Sequence, residues 1–173
     1  MATVTTARIL AGKALQQLCG QECVDWAIAM IEQGREGHHL AMLAGQLPPH
    51  DPLELGRLRD GSLCELGIPE LDPERAVAAH AVECARALLE DERVIGENLE
   101  VLKDLFMLDF DAPGPGLSAE LWDDLRDFYL LYWAYSDLQE QEYQFYWPDA
   151  TREDIVTVVR LRAEEFVRGR SAH

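Results

Sequence analysis

An all-α fold is predicted by three features of the amino-acid sequence. Apolar residues recur at three- and four-residue steps through most of the chain, and no strict polar–apolar alternation runs beyond four residues. Glycine, proline and cap-forming residues punctuate the periodic stretches. Together these predict one domain over residues 1–173, a bundle of seven or eight helices with almost no strand. No repeat of solenoid length is present. A chain of 173 residues can bury roughly 70 % of its unfolded surface in a single core, so stability requires neither metal nor disulfide.

The elements follow in order. Residues 5–18 place Ile9, Leu10, Ala14, Leu15 and Leu18 at helical spacing, with Gly20 as the stop. A second helix over residues 21–33 carries Val24, Ile28 and Ile31 on one side, with Trp26 and Met30 adjoining. Gly34 and Gly37 end it. Residues 38–44 form a short third helix closed by Gly45. The proline-rich connection LPPHDP cannot continue a helix. Asp51 then supplies a cap acceptor and Pro52 a first helical residue, starting a helix through Leu55 and Leu58 towards Gly67 that Gly61 weakens. Asp72 and Pro73 repeat the device ahead of a helix in which Ala76, His80, Cys84 and Leu88 stack at four-residue steps.

Residues 94–108 form a further helix around Ile95, Leu99, Leu102, Leu105 and Phe106, and DAPGPG breaks the chain after it. Ser118 caps the longest helix, expected over residues 118–142. The segment 118–147 holds ten of the fourteen aromatic residues. Leu121, Leu125, Phe128, Tyr129, Tyr132, Tyr135 and Gln139 fall on one stripe, and Glu120, Asp123, Asp124 and Asp127 on the far side. Thr151 with Asp154 resembles a capping box. The last helix, residues 155–167, is followed or flanked by Arg160, Arg162, Arg168 and Arg170, which suit its negative end.

Charge narrows the function classes. Thirty-two acidic against fifteen basic residues leave a net −17, which disfavours direct nucleic-acid binding because the phosphate attraction is lost. A soluble, self-repelling surface and a surface shaped for a basic partner both account for it. No run reaches the length of a membrane span. The first residues, MATVTTARIL, show neither a basic region nor a long apolar run, so a reducing cytoplasm is the expected location.

Catalytic and metal chemistry find little support. Cys19 and Cys23 are four apart, as are His80 and Cys84, while His38 and His39 are adjacent. These spacings match no zinc finger or ribbon, and buried cysteine is ordinary core filling. Whether Cys19, Cys23, His80 and Cys84 converge is left open. A di-metal carboxylate bundle needs Glu-x-x-His, whereas Val77 stands three residues before His80. Cys64 and Ser118 lie in no nucleophile elbow, and no phosphate-binding loop occurs. No catalytic residue, metal ligand or cofactor is expected.

What remains is charge placement. Residues 83–127 hold thirteen acidic and four basic residues. Glu90, Asp91 and Glu92 are densest, Asp109 and Asp111 flank the DAPGPG break, and Asp123, Asp124 and Asp127 follow on the aromatic helix. Solvated helix faces explain such runs, and so does a converged negative platform. Tyr143, Phe145, Tyr146 and Trp147 serve either as interface anchors or as a lid over the core.

A "WA" helix at Trp26-Ala27, a glycine turn over residues 34–37, Leu43-Ala44-Gly45, a prolyl linker and an "ELGI" end over residues 65–68 complete the pattern. This stretch, about a quarter of the chain, resembles small uncharacterised bacterial helical proteins of the toxin-immunity type. The resemblance implies a binding protein and carries no site residue. The expected function is therefore an acidic helical protein-binding module, an inhibitor of a basic toxin or nuclease. Its expected contact residues are Glu90, Asp91, Glu92, Asp109, Asp111, Asp123, Asp124, Asp127, Tyr143, Tyr146 and Trp147. An enzyme or metal-binding bundle and a structural homodimer are the alternatives.

Overall fold

A computed structural model describes residues 4–107 and 116–170. Eight α-helices and one 3-10 turn occur among the described residues, and no strand. They are α1 (Thr6–Ala14), α2 (Gln21–Glu32), α3 (His38–Ala44), α4 (Pro52–Glu65), α5 (Pro73–Glu90), the turn Glu92–Val94, α6 (Ile95–Met107), α7 (Ala119–Glu140) and α8 (Ile155–Arg170). The all-α architecture is as the periodicity predicts. The chain divides into two compact units, Met1–Val77 and Ala78–His173, with the boundary inside α5.

In the first unit α2, α3 and α4 pack on one another and α1 joins them through α2. The core is Ile9, Val24, Trp26, Ala27, Met30, Leu40, Leu43, Leu55, Leu58 and Leu63, together with Cys19 and Cys23. Trp26 is fully buried, and its indole N–H donates to the Thr6 hydroxyl at 3.1 Å, so α1 satisfies the polar atom that α2 buries.

Two expectations fail here. The first helix stops at Ala14, not at residue 18, and Leu18 is 74 % exposed. Three helices of this unit end in the same way: the N–H two residues past the cap reaches back to the third-last carbonyl. Gln17 reaches Gly12, Arg35 reaches Met30 and Ile68 reaches Leu63. Glycine supplies the left-handed residue at Gly34 and Gly67, but in α1 it is Gln16, with φ 55°. A helix end without its glycine leaves no signal in the sequence. The second failure is the buried face of α2. Cys23, Trp26, Ala27 and Met30 point inward, whereas Ile28 and Ile31 are 41 % and 42 % exposed. Nearly every residue from 23 to 31 is apolar, so periodicity alone could not choose a face.

In the second unit α7 packs along α6 and also against α8. The buried residues of α7 are Leu121, Leu125, Phe128, Leu131, Ala134 and Leu138. Beyond Phe128 this seam departs from the expected stripe. Tyr129, Tyr132 and Tyr135 are half-buried on its flank and Gln139 is exposed. Steps of three and four averaging near 3.5 follow a neighbouring helix, whereas the stripe was laid out on a straight 3.6-residue helix. The rings divide between two neighbours. Phe106 of α6 meets Trp122 and Tyr129 at 5.0 and 5.1 Å, and Phe166 of α8 meets Phe128 edge-on at 5.5 Å.

The local signals for starts held. The Asp51 side chain accepts from Leu53 N–H and the Ser118 hydroxyl from Leu121 N–H, while the Asp154 carboxylate accepts from Thr151 N–H at 2.7 Å.

Candidate functional site

The acidic residues singled out by sequence lie, where described, in the second unit, and nearly all face an arginine. Asp91 caps the turn before α6 by accepting from Arg93 N–H at 2.9 Å. It also holds the Arg93 guanidinium through both oxygens. That guanidinium, with the backbone N–H, lowers the Asp91 pKa to about 2. Glu92 lies 3.7 Å from Arg160, and Asp123 lies 3.0 Å from Arg126 on its own helix. Asp124 pairs with both Arg162 and Arg170, and Asp127 accepts from Arg162 at 3.0 Å. Glu90, the last residue of α5, is exposed. Asp109 and Asp111 lie outside the described residues.

The far side of α7 is therefore not an open anionic face. Arg162 and Arg170 of α8 sit over it, with side chains only 16 % and 17 % exposed, and Asp124 is 20 % exposed. These groups staple α8 to α7 by charge-assisted hydrogen bonds.

The aromatic residues after α7 have the opposite character. Tyr143, Phe145 and Tyr146 are 59 %, 86 % and 40 % exposed, while Trp147 is half-buried. A lid over the core would bury them, so that reading is set aside for the first three. Gln144, which no motif singles out, organises the loop. Its Oε1 accepts from Tyr146 N–H at 2.7 Å and Trp147 N–H at 2.8 Å, and its Nε2 donates to the carbonyls of Trp147 and Ala150. Both donors and both acceptor positions of one amide are thus spent on fixing four backbone groups. Tyr146 leans back towards Trp133 of α7, ring centres 6.2 Å apart, while Tyr143 and Phe145 meet edge-on at 5.5 Å. Arg152 closes the base by donating to the Gln139 carbonyl at 3.0 Å. Glu140, Glu142, Asp149 and Glu153 are exposed around this loop, and none has an ion pair among the described residues. The result is an exposed aromatic segment whose turn is fixed by one amide, with four exposed carboxylates on the same stretch of chain.

The cysteine expectation needs correction. Cys19 and Cys23 are buried, as core filling would be, but they are bonded to each other. Their Cα atoms lie 6.0 Å apart, within the reach of a disulfide, with Gly20 between them as the cap of α2. Cys84 Sγ is 3.9 Å from His80 Nδ1 on α5, and Cys64 is exposed. Among the described residues no three His, Cys, Asp or Glu side chains gather as a metal site. In the first unit the His39 ring lies over Gly61, with Nδ1 2.6 Å from Glu65 Oε1, and His39 N–H donates to the other carboxylate oxygen at 2.9 Å. These hydrogen bonds hold the Glu65 carboxyl below its ordinary pKa. No helix among the described residues is long and apolar enough to cross a membrane.

No protein-family model, curated protein or solved structure matches the chain.

Proposed function

We propose that this protein is a protein-binding module that engages a basic partner through the loop over residues 140–149. The single observation that carries this reading is the exposed pair Tyr143 and Phe145, which meet edge-on and flank Gln144, whose amide fixes the turn that follows through Tyr146 and Trp147. Exposing two large rings costs solvation, and fixing them in advance removes much of the entropy a partner would otherwise have to overcome. Rigid aromatic side chains ringed by polar groups are the usual makings of an interface hot spot. The rim carboxylates Glu140, Glu142, Asp149 and Glu153 favour arginine and lysine on the opposing surface, where they steer approach and where a cation can stack on an aromatic face. A basic toxin or nuclease is the partner class that fits this chemistry, with this protein as its inhibitor in the cytoplasm. The reading moves the contact surface away from Asp91, Asp123, Asp124 and Asp127, whose charge is engaged by arginines, and onto Tyr143, Phe145 and Tyr146.

The test is co-expression with the protein encoded beside it, followed by titration calorimetry at low and high salt. Truncating both Tyr143 and Phe145 to alanine should weaken binding by about 1,000-fold, since hot-spot truncations cost about 2 kcal/mol or more each and about 1.4 kcal/mol is tenfold in affinity. Reversing Glu140 and Glu142 to lysine should slow association mainly at low salt. Affinity indifferent to all four changes would overturn the reading.

A further inference from the structure

Cys19 and Cys23 close a ring with only three residues between them. So short a ring constrains the unfolded chain far less than a long loop does. The packing of Trp26, Leu40, Leu43, Leu55 and Leu58 around it is already complete, each at most 1 % exposed. Stability alone is thus a weak reason for the bond, and its surroundings are unlike those of an inert crosslink.

The two sulfurs are chemically unequal. Cys23 lies in the first turn of α2, whose positive end stabilises an anion. Arg8 and Arg59 line the same small surface depression as the two cysteines; Arg59 is paired with Asp60 at 2.9 Å, so Arg8 supplies the added positive charge. The one carboxylate there, Glu22, turns to accept from Gly20 N–H at 3.2 Å. Cys19 lies outside the helix, on the α1–α2 connection beside the exposed Leu18, where few backbone hydrogen bonds hold the chain. A disulfide is cleaved so that the better-stabilised thiolate leaves.

We propose that Cys19–Cys23 is a thiol–disulfide exchange site reduced by an external dithiol, with Cys19 the attacked sulfur and Cys23 the leaving one. One thiolate of the dithiol bonds to Cys19 Sγ as the Cys19–Cys23 bond breaks, and its electron pair goes to Cys23 as thiolate. The second thiol of the donor then attacks its own sulfur in the mixed disulfide and releases Cys19. Two electrons and two protons pass to the protein, and the donor ends as its disulfide. Attack requires the connection over residues 15–20 to open, because both cysteines are nearly inaccessible when it is closed, at 4 % and 3 % exposed. Disulfides in a reducing compartment are characteristically transient ones of this kind. The inference is independent of the aromatic loop and stands whether or not a basic partner is found.

The test uses the full chain in buffers of reduced and oxidised dithiothreitol, with acid quenching, alkylation and peptide mapping to locate each thiol. The expected result is reversible opening and closing of the Cys19–Cys23 bond with circular dichroism unchanged. With oxidised glutathione, C23S should accumulate a mixed disulfide at Cys19. In C19S the iodoacetamide rate at Cys23 should fall less from about pH 8 to about pH 6 than the rate at the exposed Cys64, because a helix-stabilised thiolate persists at lower pH. A bond that resists excess dithiothreitol until the protein unfolds marks a structural crosslink and overturns the proposal. So does a pair that stays reduced in every buffer, or a Cys23 pH dependence matching that of Cys64.

Discussion

Alanine at two glycines of one helix should change stability in opposite directions. Gly56 and Gly61 both lie inside α4, where alanine is ordinarily preferred by about 1 kcal/mol. A Cβ added at Gly56 would meet nothing within 4 Å, so G56A should stabilise by about 0.5–1 kcal/mol. A Cβ at Gly61 would come within 2.5 Å of His39 Cγ and 2.6 Å of Cδ2. The ring has to leave, since overpacking of this kind costs about 1–3 kcal/mol. Its departure also breaks the His39 Nδ1–Glu65 hydrogen bond between α3 and α4, while the bond from His39 backbone N–H remains. Set against the helical gain, G61A should destabilise by about 1 kcal/mol, leaving a gap of about 2 kcal/mol between the variants. Urea unfolding by far-UV circular dichroism, with amide exchange in α4 as the local readout, measures both. Adding H39A should restore the ordinary helical benefit of alanine at position 61. Were G61A as stable as G56A, the close packing of His39 on Gly61 would be refuted.

Two further outcomes test the second unit. R162A strips a mostly buried guanidinium from Asp124 and Asp127, with Arg170 still serving Asp124, and should cost about 2 kcal/mol. R126A at the exposed pair with Asp123 should cost under about 0.5 kcal/mol, and equal effects in urea melts would refute the distinction. Asp91 should titrate near pH 2 by carboxyl NMR. Its folded pKa is depressed, so its contribution to stability is present above the ordinary carboxylate range and lost as pH falls towards 2. R93A should move the midpoint up towards about 4, and a wild-type midpoint already there would mean that the Arg93 contacts do not form in solution.

Local chemistry explains which parts of the fold were legible. Asp51-Pro52, Ser118 and the Thr151–Asp154 pair act within four residues of themselves, and each start lies where sequence places it. Glycine-marked ends at Gly34 and Gly67 were equally readable. The end of α1 was not, because Gln16 takes the left-handed position without a glycine. Gln144 was invisible for a related reason: its role depends on where four backbone groups of the following turn point, which composition does not record.

The pairing of the acidic face depends on a longer-range effect. An amphipathic pattern names a polar face but not what covers it. Asp124 and Asp127 read as solvent-facing because their partners stand 35 to 46 residues away, at Arg162 and Arg170. Those arginines in turn read as complements to the dipole of their own helix. Pairing them cancels charge along the α7–α8 seam but leaves the net −17 of the chain untouched. Around Tyr143 and Phe145, four exposed carboxylates gather within a stretch whose basic residue, Arg152, is spent on a helix-end carbonyl. At an ionic strength near 0.15 M, charges interact over about 8 Å, so nearby carboxylates steer a partner more than remote ones. These carboxylates and the exposed rings thus lie on or beside the same stretch of chain, the α7–α8 connection.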